Sequence, residues 1–426
     1  MKFHLLFLLF LLLATLSLPS GAFHFATIVG SSHWYSIASG AVHRTPSSPT
    51  NVPKSPSRTL PILTSITSSN PSADVVKTTV QQVQLASGTS AEIISCLPLR
   101  NKPSFSLNFL SSVLFGKGGN GKSKISDQNF DKPTLAFLHG SFHASWCWEE
   151  NYMPYFASLG YPCVGLSLQG TGGTPAIPEG AKKVKIDSHV KDLDSFLRGL
   201  SDDDQNQEFG LGLGGNPEIV LIGHSFGGLT TMKWLETFYD KKDEKGHDHD
   251  DGINLLGVAL LCSVPPSGNG PMTLRYLIRS FSDSWKITVG FAMKKAINDK
   301  ELCRTLFFGG SDDSNGVTDE DIERYQGYFE RDTVATIDLT DLVSKLPSLR
   351  VDKTSGKAQF VDFLPSEPLV LGASDDFIVD KEGLDETSSY MGLDAPVVVD
   401  SPHDVMLGGK WKNGADAVLS WLNKLP

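Results

Sequence analysis

The residues with the clearest chemical meaning lie at 223–227, Gly-His-Ser-Phe-Gly. This is the G-x-S-x-G pattern, in which a serine sits on a strained turn with its hydroxyl held clear of the backbone. Glycines two residues either side of Ser225 remove Cβ atoms that would clash in so tight a bend. A serine hydroxyl is a weak nucleophile until a histidine takes its proton and an acid fixes that histidine in one tautomer. Two downstream loops offer such groups: residues 372–379 read GASDDFIV, and residues 400–406 read DSPHDVM. The chain order is then Ser225, Asp375 or Asp376, and His403. Asp376 is preferred, with Asp375 as the alternative acid, because Asp376-Phe377-Ile378-Val379 has the D-x-x-V spacing usual for this role. Asp404, beside His403, is expected to cap or support. The oxyanion of an acyl-transfer step needs backbone N–H donors, which His139-Gly140 and the elbow supply at Ser141 and Phe226, with Phe142 as a further donor. The side chains of Phe142 and His224 are candidate substrate contacts. His139 and His143 are expected to pack and hydrogen-bond within their loop.

These residues need a frame that brings them together. Residues 219–222 are four apolar side chains before the elbow, a buried strand, and 228–239 read as a helix after it. Residues 134–138, 161–168, 253–262, 368–371 and 397–399 read as further strands. The apolar positions 186, 190, 193, 196, 197 and 200 have helical spacing, which predicts an amphipathic crossover helix. Strand, helix, strand is βαβ alternation and a parallel sheet, with the loops that carry chemistry on one edge. Residues 80–95 form two β-rich runs around Ser87-Gly88-Thr89-Ser90, a hairpin that opens the sheet. From 265 to 358 the alternation is interrupted by helical patterns at 272–281, 285–297, 318–329 and 333–346. They read as a cap between a first core segment (74–264) and a second (359–426). The cap's apolar content suits an apolar substrate and offers a face for peripheral membrane contact. Oligomeric state is left open.

The 426 residues carry a net charge of −11, which argues against nucleic acid as a partner because phosphate binding needs clustered cations. Five scattered cysteines without a C-x-x-C suggest buried thiols and no zinc site. Residues 116–123 fit the phosphate-loop pattern G-x-x-x-x-G-K-S, but the segment that follows, 124–133, is short, polar and ended by proline, so no helix is offered to hold phosphates and nucleotide is not expected. Residues 210–215, GLGLGG, precede a strand where a dinucleotide fingerprint would follow one, and read as a loop. Residues 201–208 and 240–251 are read as acidic surface loops, the second holding His247 and His249. At the start, Lys2 and an apolar run over 5–13 resemble a signal peptide ending near 22. Residues 23–73 are rich in Ser, Thr and Pro and free of acids, a transit-peptide composition. Loss of both segments removes four cations and no anion, taking the net charge from −11 to −15.

His139-Gly140, residues 223–227, the Asp375/Asp376 loop and His403 together resemble the α/β-hydrolase superfamily. HGSFHASWCW at 139–148 is similar to the opening HGxxHGxWxW of plant methylesterases and hydroxynitrile lyases, with Ala144 where glycine is usual. GHSFGG and SPHDVML resemble lipase- or esterase-like hydrolases of plastid and cyanobacterial type. Ser167 and Gln169 stand where that superfamily often has aspartate and arginine. The resemblance implies an α/β-hydrolase fold and an ester-cleaving serine hydrolase that needs no cofactor or metal. A lyase of the hydroxynitrile type and a non-catalytic binding protein on the same fold are the alternatives. A serine nucleophile excludes the aspartate-dependent epoxide hydrolase and dehalogenase branches. The leader, with Phe23 at its junction, is similar to the two-part plastid leader of algae with secondary plastids; secretion or endomembrane residence is the alternative.

Overall fold

The computed structural model describes residues 76–98, 130–239, 252–292, 294–310, 315–352 and 354–426. The leader, the 116–123 motif and the acidic run 240–251 lie outside the described residues.

Eight strands build one sheet: β1 (Lys77–Gln84), β2 (Ser90–Leu97), β3 (Thr134–Leu138), β4 (Cys163–Leu166), β6 (Ile219–His224), β7 (Leu255–Leu261), β9 (Leu369–Asp375) and β10 (Val397–Pro402), in the order β1-β2-β4-β3-β6-β7-β9-β10. β2 runs antiparallel to β1 and β4, and the remaining neighbours are parallel. The central strands β3, β4, β6 and β7 are buried along their whole length, which is why they read as unbroken apolar runs. Their side chains alternate between two cores. Leu135, Phe137, Val220 and Ile222 face one with Trp148, Tyr152 and Phe156. Ala136, Leu138, Ile219 and Leu221 face the other with Leu193, Phe196 and Leu229.

Helices α1 (Trp146–Glu149), α2 (Tyr152–Ser158), α3 (Ile186–Ser201), α4 (Asp203–Glu208) and α5 (Phe226–Trp234) connect the first strands. All six apolar positions of the amphipathic pattern in α3 are buried. Residues 203–208, expected as an acidic loop, are helical. Asp202 caps them by accepting from the Gln205 N–H at 2.8 Å, and Asp203 and Asp204 sit at the positive end of the helix. α5 is shorter than expected and passes into a single π-turn, Leu235–Tyr239.

Between β7 and β9 lie α6 (Asn269–Arg279), α7 (Phe281–Ile287), α8 (Lys300–Phe307), α9 (Asp319–Asp332) and α10 (Leu339–Val343). The single helix expected over 285–297 is instead the end of α7, a π-turn Thr288–Ala292 and a 3-10 turn Lys295–Ile297. The pattern expected at 333–346 splits into a short strand, β8 (Thr336–Ile337), and α10. β8 pairs with β5 (Lys183–Val184) in a second, two-stranded sheet. α11 (Lys381–Tyr390) and α12 (Trp411–Leu422) complete the chain.

Candidate active site

The elbow is built from its neighbours inward. β6 delivers Ser225 to the edge of the sheet, and α5 leaves at once. Ser225 takes φ 52°, ψ −118°, a conformation that costs a non-glycine residue about 1–3 kcal/mol. Its backbone is held there from two sides. The Ser225 N–H donates to the Leu261 carbonyl at 3.0 Å, and the Ser225 carbonyl accepts from Gly228 and Val264, each at 3.0 Å. A Cβ on Gly227 would lie 2.5 Å from the carbonyl oxygens of Leu138 and His139, and one on Gly223 would lie 2.7 Å from Thr231 Oγ1. Close approach of neighbouring atoms therefore requires both glycines.

Three loops then meet. Ser225 Oγ lies 3.1 Å from His403 Nε2, and His403 Nδ1 lies 2.9 Å from both carboxylate oxygens of Asp376. Asp376 Oδ1 also accepts from the N–H groups of Ile378 (2.8 Å) and Val379 (2.9 Å), so the D-x-x-V run holds its own carboxylate in place. Asp375 ends β9 and points the other way. Its carboxylate is exposed and lies 3.7 Å from Lys410 Nζ. The Asp376 and His403 side chains are nearly enclosed, and Ser225 keeps 7% of its surface. Burial alone would push the His403 imidazole down, but the Asp376 charge and hydrogen bond, with the Asp404 charge, raise it above its ordinary 6.5.

The loop after β3 closes over the serine. A Cβ on Gly140 would lie 2.7 Å from Ser225 Cβ, so Gly140 rests against the elbow. Ser141 is exposed, and among the described residues nothing accepts from its N–H. Phe226 is the first residue of α5, where an N–H has no carbonyl one turn behind it. Phe142, at φ 70°, packs its ring against Phe307 and Phe329 of the segment between β7 and β9.

His139 and His143 are buried and hydrogen-bonded, as expected. Leu168 N–H donates to His139 Nε2 at 3.0 Å, and burial pushes that imidazole down to about 4. His224 is a correction. It continues the face of Val220 and Ile222 and lies fully buried edge-on to Trp148, with Nε2 donating to the His403 carbonyl at 3.0 Å. It supports the histidine loop from behind and offers no surface to a substrate. Asp404, placed next to His403 by sequence, is no cap: its Oδ2 accepts from His143 Nε2 at 3.0 Å. Sequence reasoning missed Asp332, whose carboxylate joins α9 to Trp146 Nε1 and the Gly172 N–H, each at 2.8 Å.

Residues 135–408 match the model of the alpha/beta hydrolase family. The chain belongs to that family. Among curated relatives, Methylesterase 2 of Arabidopsis thaliana is 27% identical over 112 residues, 26% of this chain and 36% of that protein. Methylesterase 1 of the same plant is 28% identical over 112 residues, with the same coverage. The chain thus matches about a third of the length of these relatives. A mutant of potato epoxide hydrolase superposes with a TM-score of 0.51 at 15% identity, covering 82% of this chain and all of that one, a likeness of fold.

Proposed function

We propose that this alpha/beta hydrolase is a serine ester hydrolase, with Ser225 as nucleophile, His403 as general base and Asp376 as the acid that orients it. The observation that carries this reading is the continuous path from Ser225 Oγ through His403 to Asp376, at 3.1 and 2.9 Å, on a serine held at φ 52°. Because Asp376 accepts at Nδ1, the ring proton stays there and Nε2 is free to take the hydroxyl proton. Oγ then attacks the ester carbonyl carbon while the N–H groups of Ser141 and Phe226 receive the oxyanion. His403 passes its proton to the departing alcohol, leaving an acyl-enzyme. Water, deprotonated by the same Nε2, releases the acid. The chemistry needs no cofactor.

An apolar acyl or prenyl/phytyl ester is the substrate class that fits best. Phe142, beside the proposed oxyanion donors, continues into the buried aromatics Phe307 and Phe329, which favour hydrocarbon. The acid-free composition of residues 23–73 behind an apolar start supports a plastid location. Replacing Ser225 by alanine tests the activity. Turnover of medium- and long-chain esters is expected to fall by about 10⁶-fold, the scale of losing the nucleophile of such a triad. Undiminished turnover ends the proposal.

A further inference from the structure

The proposed chemistry leaves unexplained a second histidine–aspartate pair behind the first. The side chains of His143 and Asp404 keep 1% and 0% of their surface. His143 Nε2 lies 3.0 Å from Asp404 Oδ2, and Nδ1 lies 2.8 Å from the Ser141 carbonyl oxygen. Neither a carbonyl nor a carboxylate can donate, so both contacts are hydrogen bonds only if both ring nitrogens carry protons. The ring cannot turn away. Trp146 stacks on it at 5.4 Å, Phe329 meets it edge-on at 4.9 Å and Phe307 at 5.8 Å.

The groups facing the pair are His224, whose Nε2 is 4.0 Å from Asp404 Oδ1, His403 and His139, with the thiols Cys147 and Cys303 and the carboxylate of Asp332 nearby. Burial would raise the Asp404 carboxyl, yet His143 by charge and hydrogen bond, then His224 and His403, hold it below its ordinary value. The carboxylate is thus ionised beside the ring.

The carbonyl that His143 grips belongs to the loop proposed to receive the oxyanion. The next residue, Phe142, sits at φ 70°, where a bulky side chain is strained. In a trans peptide the C=O and N–H point in opposite directions, so a grip on the Ser141 carbonyl fixes the plane of that peptide. That plane carries the Phe142 N–H, the further donor of the loop, and it anchors one side of the Ser141 Cα, through which the Ser141 N–H is attached.

We propose that His143 and Asp404 form a buried ion pair that positions the oxyanion loop, His143 gripping the Ser141 carbonyl through Nδ1 and Asp404 holding Nε2. His143 touches no substrate and is a positioning residue. The inference rests on the hydrolase reading above.

Amide side chains separate the two ring contacts. Asparagine at 143 reaches the place of Nδ1, toward Ser141, and glutamine reaches the place of Nε2, toward residue 404. Made together with D404N, neither strands a buried charge. H143N with D404N is expected to keep kcat within about tenfold, and H143Q with D404N to lose about 10²-fold at a KM within about threefold, because oxyanion donors act on the transition state alone. Equal losses in the two doubles, or a change confined to KM, would mean a merely structural role and overturn the proposal.

A readout independent of turnover is the 15N spectrum of histidine-labelled protein, with the His143 signals assigned by their loss in H143Q. Both ring nitrogens of His143 are expected to carry protons, and only Nδ1 in D404N, where the asparagine N–H donates to Nε2. A single ring proton in the unsubstituted protein overturns the ion pair. Two ring protons in a protein that neither hydrolyses esters nor reacts with a fluorophosphonate support the ion pair and sink the hydrolase reading instead.

Discussion

Adding one carbon at Gly140 tests the closeness of the proposed oxyanion loop to Ser225, the proposed nucleophile. In Gly140→Ala the new Cβ would lie 2.7 Å from Ser225 Cβ, 3.1 Å from His224 Nδ1 and 3.3 Å from the His224 carbonyl oxygen. Carbon atoms rest about 3.5–4.0 Å apart, so loop and elbow must separate by roughly 1 Å. Neither side yields readily: Ser225 is pinned through Leu261, Gly228 and Val264, and the His224 ring is enclosed. Overpacking of this kind costs about 1–3 kcal/mol of stability. A donor at hydrogen-bond distance that retreats by roughly 1 Å no longer bonds, and loss of one oxyanion donor costs about 10²–10³ in kcat. Steady-state hydrolysis of a p-nitrophenyl ester, beside a thermal melt, reads both effects. Gly327→Ala is the control: it lies in α9, its added methyl would meet nothing within 4 Å, and it should leave kcat unchanged. A folded Gly140→Ala enzyme with kcat within threefold of the parent would refute the reasoning.

The two adjacent aspartates separate cleanly. Asp376→Asn is expected to lower kcat by about 10⁴-fold because His403 would lose its tautomer, whereas Asp375→Asn, altering a carboxylate turned toward Lys410, should change it less than threefold; the reverse ranking contradicts the assignment. The pH profile follows from the raised His403. The base works only when unprotonated, so kcat/KM should fall as pH drops through a midpoint above 6.5, and an acid limb centred below 6 would contradict the environment described for that ring.

The elbow was legible because everything that makes it is local: a four-residue apolar run, two glycines and a helix within a dozen residues. Asp376 and His403 were legible because successive parallel strands deliver their loops to one edge, however far apart they lie in the chain. The role of each remaining histidine was not. His143 finds Asp404 261 residues away, and no local pattern announces such a pair. His224 flanks the serine in sequence, yet period-2 alternation with Val220 and Ile222 puts it on the inner face, a signal that could have been read. The same holds for α8: Asp299 as cap, with Cys303, Leu306 and Phe307 at helical spacing, marks a helix whose surroundings in sequence are short and irregular. β5 and β8, two residues each, are too short to show any period.

The central claim is that Ser225 is an activated nucleophile, and covalent capture tests it most directly. Incubation with a fluorophosphonate, followed by intact-mass measurement and peptide mapping, should show one phosphonyl group on the peptide carrying Ser225. The adduct should vanish in Ser225→Ala and form far more slowly in His403→Ala. A folded protein that takes up no phosphonyl group, or carries it on another residue with Ser225 unmodified, would contradict the account.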